Sequence, residues 1–226
     1  MANTKALAAE FIGTFFLCFA GIAAILSNTP AVGAGMGIVG IALAHGLALS
    51  VAISVFGGVS GAHFNPAVTI GLLTTGRIKV PAAAAYIVVQ LLGATVAAFV
   101  CKTIFPVDAV AAANLGIPLP AAWVSTSTLI LCEFILTFLL VTAIYGTAID
   151  ARGQVVNIGA FGIGLAVTFD ILAAGAVTGA SMNPARSFGP ALVQGDFHCH
   201  IFYWIAPILG AIVAAQVYEH LILDKN

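Results

Sequence analysis

Apolar residues run through this chain in long stretches, and polar positions collect between the stretches. The runs cover about 5–27, 35–57, 80–102, 125–149, 156–175 and 200–222. Each is close to the roughly 20 apolar residues that a helix needs to cross a bilayer, so six transmembrane helices are predicted. Two shorter segments follow the second and fifth runs. One opens Asn65-Pro66-Ala67 and the other Asn183-Pro184-Ala185. Asn before Pro is the pattern of a helix start, with Asn as the cap and Pro at the first helical position. From each Asn to the next breaker, Gly76 or Gly195, is about a dozen residues. That is half a crossing, and the pattern predicts two re-entrant half-helices.

Composition makes the membrane reading firm. The chain is 62% hydrophobic and 7% charged, with mean hydropathy +1.15, where a soluble domain carries about 25% charged residues. The fold class is an all-α, multi-pass integral membrane protein whose partner is the lipid bilayer. The run from Phe11 to Leu26 is longer than a signal core, and no small-residue cleavage site with a polar mature domain follows it. The first segment is therefore expected to stay in the membrane. A net charge of −1 offers no basic footprint for nucleic acid. With the N-terminus in the cytoplasm, Lys5, Arg77, Lys79, Arg152 and Lys225 fall inside and Lys102 outside. This positive-inside bias puts both termini in the cytoplasm.

The chain is also a duplication. Glu10-Phe11-Ile12-Gly13-Thr14-Phe15-Phe16-Leu17 matches Glu133-Phe134-Ile135-Leu136-Thr137-Phe138-Leu139-Leu140. Leu91-Leu92-Gly93-Ala94-Thr95-Val96-Ala97-Ala98 matches Ile208-Leu209-Gly210-Ala211-Ile212-Val213-Ala214-Ala215. The Asn-Pro-Ala motifs stand between, 55 residues after the first Glu and 50 after the second. The repeats are about 1–110 and 120–226 of a single transmembrane channel domain. Three spans per half is an odd number, so the halves insert inverted and share a site at the midplane. The half-helices then enter from opposite faces and their N-termini meet at the centre. Each end carries about half a positive charge. Free amides of Asn65 and Asn183 share that space, and irregular backbone leading into each motif needs a water-filled cavity. Such a centre suits a file of small neutral polar molecules and repels protons and cations.

Few other groups carry chemistry. Arg186 is a permanent charge in membrane, which is costly and normally functional; it is expected to donate hydrogen bonds to the permeant and to repel cations. Glu10 and Glu133 are lone carboxylates in apolar helices, expected to accept hydrogen bonds from the loops before the half-helices. His63 is expected at the cytoplasmic vestibule. Asp170 receives no role. Cys18, Cys101 and Cys132 lie in apolar runs as packing residues. Cys199 stands between His198 and His200, but adjacent residues rarely converge on one ion. No metal, no cofactor and no nucleophile–base pair is expected, so the chain is not read as an enzyme.

This ordered set resembles the aquaporins, the major intrinsic protein family, over nearly the whole chain. The resemblance implies six tilted helices plus two half-helices, and a homotetramer with one pore per subunit. It also implies a constriction on the outer side, which falls here on His45, Ile171, Ala180 and Arg186. That combination, with Ile171-Leu172-Ala173-Ala174-Gly175 and Phe188-Gly189-Pro190-Ala191, resembles the plant tonoplast intrinsic proteins. Some of those pass ammonia, urea or hydrogen peroxide, and such members can carry a His in the third loop; none occurs here between Lys102 and Ser127. Related proteins often have Asn where Asp170 stands. Glycerol channels resemble one another in an Asp after the motif's Arg and Pro-Leu in the sixth span. This chain has Ser187 and Tyr203-Trp204. The expected function is a passive channel conducting water in single file and excluding protons and ions. The alternative is a broader channel for ammonia, urea, hydrogen peroxide or glycerol. The cell membrane, plasma or inner, is the expected location, with a vacuolar-type membrane as the alternative. A coupled transporter would need titratable groups at the midplane, and a structural junction protein would show a closed pore.

Overall fold

The computed structural model describes residues 3–33, 35–154 and 158–224. Helix α1 spans Thr4–Ser27, α2 Gly37–Ser60, α3 Pro66–Thr74 and α4 Val80–Ile104. A short α5, Val107–Ala112, and a 3-10 turn, Asn114–Gly116, occupy the link between halves. Then come α6 Thr126–Ile144, α7 Ala151–Gln154, α8 Gly159–Thr178, α9 Pro184–Gln194 and α10 Phe202–Val217. Helices α6 and α10 run on as π-turns, Tyr145–Ile149 and Tyr218–Ile222. Among the described residues, six elements are long and apolar enough to cross a membrane: α1, α2, α4, α8, and α6 and α10 with their π-turns. No strand occurs among the described residues. The expected start of the fifth span at residue 156, and Lys225, lie outside the described residues.

Two span ends differ from the sequence reading. The second and fifth spans were expected to stop at 57 and 175, at glycines. Helix α2 instead continues to Ser60 and α8 to Thr178. The true stops are Gly61 and Gly179, with φ +84° and +81°, whose N–H groups bond the carbonyls of Gly57 and Gly175. A left-handed residue after the last turn is the usual place for glycine. Gly57 and Gly175 remain helical; Gly175 does so where Ile38 of α2 packs closely on it.

Packing follows the duplication. Matching each element to its repeat mate pairs α1 with α6, α2 with α8, α3 with α9 and α4 with α10. The contacts α1–α4 and α1–α2 then recur as α6–α10 and α6–α8. Helix α2 packs on its own mate α8, on the pseudo-two-fold axis. Each half-helix packs against the last span of the opposite half: α9 on α4, and α3 on α10. The close approaches recur as well. A Cβ on Gly93 would stand 2.4 Å from the Phe11 carbonyl oxygen, and one on its mate Gly210 2.3 Å from that of Phe134. At the α2–α8 crossing a Cβ on Gly164 would meet the Gly46 carbonyl at 2.2 Å. Small residues are what let membrane helices approach this closely.

Candidate functional site

The site is built on two loops, each held by one buried carboxylate. Residues 61–64 and 179–182 each contain left-handed backbone: Gly61, Ala62 and Phe64 in one, Gly179, Ala180 and Met182 in the other. Such a backbone turns its N–H groups one way and its carbonyls the other, so it needs a dedicated acceptor. Glu10 supplies one. Its Oε1 accepts from Ser60 Oγ at 2.6 Å and the His63 N–H at 2.9 Å. Its Oε2 accepts from the Phe64 N–H at 2.7 Å and Gln90 Nε2 at 2.8 Å. Glu133 does the same for the second loop, accepting from Thr178 Oγ1 at 2.7 Å and from the N–H groups of Ser181 at 3.0 Å and Met182 at 2.9 Å. Tyr86 and Tyr203, also mates, donate to the carbonyls of Ser60 and Thr178. Both carboxylates are fully buried.

The loops deliver the two asparagines to one place. Asn65 Oδ1 accepts from the Ala67 N–H at 2.8 Å, and Asn183 Oδ1 from those of Ala185 at 2.9 Å and Arg186 at 3.3 Å. Pro66 and Pro184 open their helices at the position that needs no donor. The amide ends are partly engaged. Asn65 Nδ2 donates to the Met182 carbonyl at 2.8 Å, and Asn183 Nδ2 to the Phe64 carbonyl at 3.0 Å. Each loop is thus tied to the asparagine of the other half. A side-chain amide has two N–H groups, so one per asparagine remains for the cavity that both line.

That cavity has a volume of about 70 Å³, room for a file of roughly five waters. His63, Asn65, Ala180, Asn183 and Arg186 are among its lining. His45, Ile171 and Arg186 also line a second cavity, about 220 Å³, on the side of residues 113–118. These three residues therefore stand where the two spaces meet. Ala180 lines the inner space only. His45 Nδ1 lies 2.8 Å from the Ile41 carbonyl. A carbonyl only accepts, so Nδ1 carries the proton and Nε2 is left as an acceptor. Gly21 backs the ring. Arg186 Nη1 donates to the Gly116 carbonyl at 2.7 Å. His63 Nδ1 is 3.1 Å from Thr69 Oγ1. The backbone carbonyl of Gly116 was not legible in the sequence, since a carbonyl has no side-chain signature. Gln90 had a signal, an amide in an apolar span, and Gly21 had none.

The opposite mouth is closed off laterally by a polar clasp. Arg77 pairs with Glu219 at 2.7 Å and its guanidinium lies over the Tyr145 ring. Arg152 bonds both oxygens of Asp150 and donates to the Ile222 carbonyl at 2.6 Å. The Arg152 guanidinium, through these bonds, pushes the Asp150 carboxyl down to about 2. Ile144 and Ala148, beside this clasp, line the inner cavity.

Asp170 lies on α8 next to Ile171, fully buried, with no hydrogen-bond partner on either oxygen. At the other outer turn, His200 Nε2 accepts from Trp204 Nε1 at 2.9 Å.

Comparison with known proteins agrees with this architecture. The family profile described as Major intrinsic protein matches residues 1–218. Aquaporin TIP4-4 of Zea mays is 41% identical over 228 residues, covering 98% of this chain and 88% of that protein. Aquaporin TIP2-1 of Arabidopsis thaliana is 40% identical over 239 residues, covering 100% and 90%. The crystal structure of the aquaglyceroporin from Plasmodium falciparum superposes with a TM-score of 0.84 over 96% of both chains. At 24% identity that likeness speaks for the fold. Two relatives above 40% identity or at it, and a profile spanning the chain, establish that this protein belongs to the major intrinsic protein family.

Proposed function

We propose that the chain is a passive channel, not an enzyme, that conducts water in single file and excludes protons and ions. The observation that carries this reading is the meeting of Asn65 and Asn183, each at the N-terminus of its own half-helix, in one narrow cavity. Both half-helix dipoles present positive ends there. The remaining amide N–H groups donate to a water oxygen at the centre. That water must then turn its own hydrogens outward, so no continuous donor chain runs through the file. The same positive field repels cations.

His45, Ile171, Ala180 and Arg186 form the selectivity filter in this reading. Neutral His45 accepts at Nε2 while Arg186 donates, and Ile171 and Ala180 leave one apolar wall. Asn65, Pro66, Ala67, Asn183, Pro184 and Ala185 form the central pore motifs, Glu10 and Glu133 are structural, and His63 belongs to the inner vestibule. The chain acts as one channel domain with halves at about 1–110 and 120–226, assembled as a homotetramer. Both termini face the cytoplasm. The membrane is the cell membrane, with a vacuolar-type membrane as the alternative suggested by the resemblance to tonoplast proteins.

Stopped-flow light scattering on purified protein in liposomes tests the reading, with osmotic, urea and glycerol gradients on the same vesicles. Fast water flux with background urea and glycerol flux is expected. Fast solute flux would move the protein to the broader small-neutral-solute class. Absence of all flux would refute an open channel.

A further inference from the structure

The link between the halves does more than join them. Gly116, Ile117 and Pro118 line the second cavity beside Arg186. Three residues in a row there are left-handed: Asn114 at φ +45°, Leu115 at +52° and Gly116 at +72°. Glycine takes that conformation freely and asparagine tolerates it, but leucine does not. The surroundings must therefore hold the turn in place. One hold is the side chain of Leu115, fully buried in a cluster with Cys18, Ile22, Cys101 and Ala185. A second is Asn114, whose Nδ2 donates to Asp196 Oδ2 at 2.7 Å. A third is the Gly116 carbonyl, which accepts from Arg186 Nη1 at 2.7 Å.

The second and third holds end on the same half-helix. Arg186 lies in the first turn of α9, and Asp196 follows Gly195, the left-handed residue that ends it. The turn thus grips α9 at both ends. Asp196 is itself fixed. Its Oδ1 accepts from the His198 N–H at 3.0 Å, and its own N–H bonds the Ala191 carbonyl at 3.1 Å. Helix α9 is also held without the turn, because it packs on α4 and Lys102 Nζ donates to the Val193 carbonyl at 3.0 Å. The half-helix is therefore the fixed partner, and the turn is what a broken bond would release. Among the described residues, the Gly116 carbonyl is the hydrogen-bond acceptor of the Arg186 guanidinium.

We propose that Asn114 and Asp196 are positioning residues for Arg186: their hydrogen bond sets the turn that aims the Gly116 carbonyl at the guanidinium and so keeps it at the pore wall. The effect on flux rests on the channel reading; the bond and its hold on Arg186 do not. Without the bond, Leu115 relaxes out of the left-handed region and the peptide planes on either side turn with it. The Gly116 carbonyl then leaves Arg186. The acceptors left to the guanidinium stand in the lumen, namely water and Nε2 of His45. It swings into the file and obstructs it.

The test uses full-length protein in liposomes, with wild type read first by solid-state NMR. A nitrogen–carbon contact between Asn114 Nδ2 and Asp196 Cγ is expected, with slow hydrogen exchange at the Arg186 guanidinium. Absence of the contact would overturn the proposal whatever the variants do. In Asn114→Ala and in Asp196→Ala the guanidinium should exchange faster, and osmotic water permeability should fall about threefold, the scale of one lost hydrogen bond. The two substitutions together should be no slower than either alone, since both remove one link. Asn114→Asp combined with Asp196→Asn should recover most of the flux, because amide and carboxylate merely trade places. Wild-type flux in both single variants would overturn the proposal. So would a double variant at the product of the two losses, or a swapped pair no faster than the singles. A fall in flux with unchanged exchange at Arg186 would assign the effect to loop packing and sink the positioning role. Were wild type to show no flux, the channel reading would fail, and exchange at Arg186 in the same variants would still decide this one.

Discussion

Gly21 lines neither cavity, whereas the His45 ring lines both. The ring stands between them, so Gly21→Ala is a way to move the constriction from behind. A methyl carbon there would lie 2.2 Å from His45 Nε2, 2.5 Å from Cδ2 and 2.7 Å from Cε1. Ordinary heavy-atom contact is about 3.5 Å, so the ring must retreat by about 1.3 Å. It cannot swing freely, because Nδ1 is held at 2.8 Å by the Ile41 carbonyl. The displacement is therefore toward the lumen and removes about half the width of a water, taken as twice the 1.4 Å probe radius. Overpacking of this kind costs about 1–3 kcal/mol, which a typical domain stability of about 5–15 kcal/mol survives. If each permeating water has to press the ring back against that strain, the barrier slows flux by about 5-fold to about 150-fold. The assay is stopped-flow shrinkage of liposomes at matched protein content, with monodispersity checked first. Gly21→Ala combined with His45→Ala should recover flux, since the added methyl then meets nothing. Wild-type flux in Gly21→Ala would refute the reasoning. So would a double variant no faster than Gly21→Ala alone, because the block would then lie elsewhere than the ring.

Glu10→Gln should lower the apparent melting temperature in detergent more than Glu133→Gln. The first loses acceptor capacity for four donors and the second for three, each charge-assisted bond being worth about 1.5–3 kcal/mol; an equal or reversed order would contradict the assignment. Ala180 offers mercury no thiol in the inner cavity, so wild-type water flux should be weakly inhibited, Cys199→Ser should change little, and Ala180→Cys should create strong block. Asp150 sits well below the usual carboxylate range because of Arg152. A depressed carboxyl contributes stability above its unfolded value of about 3.9 and loses it as pH falls through the folded one. Hydrogen exchange at Leu223, whose N–H bonds the Tyr218 carbonyl at 2.7 Å, should thus stay protected down to about pH 3 in wild type. Asp150→Asn should lose that protection already at neutral pH.

The spans were legible because crossing a bilayer leaves a long apolar run, and the half-helices because Asn-Pro fixes a start and length fixes the rest. The span ends were less so. Gly57 and Gly175 read as breakers, yet the helices continue far enough to place Ser60 and Thr178 against the carboxylates. Nothing local separates a helical glycine from a stopping one; the difference is the left-handed φ that only Gly61 and Gly179 adopt in each pair. Cross-bonding of the asparagines was also hidden. The sequence expectation gave both amides free to the lumen, whereas each spends one N–H on the opposite loop's carbonyl. Backbone acceptors such as those of Met182, Phe64 and Gly116 write nothing into the sequence, and they supply much of the geometry here.

Comparison of the halves sets the residues that hold the loops and crossings apart from those proposed to make the channel selective. Several mates that agree are scaffold: Glu10 with Glu133, Tyr86 with Tyr203, Gly93 with Gly210. Removing any of these would disturb a loop or a helix crossing. Two pairs of mates that differ face the lumen. Val68 answers Arg186 and Ile163 answers His45; all four line the inner cavity. A duplicated pore with strict symmetry would carry the same filter at both mouths, and a permeant would then be stripped of water twice. With Arg186 and His45 together at one mouth, the stretch toward the other is lined by Ile53, Leu72 and Ile144, with His63 beside them. In the proposed channel, selectivity is imposed once, near Gly116, and the central asparagines need only orient what has already passed.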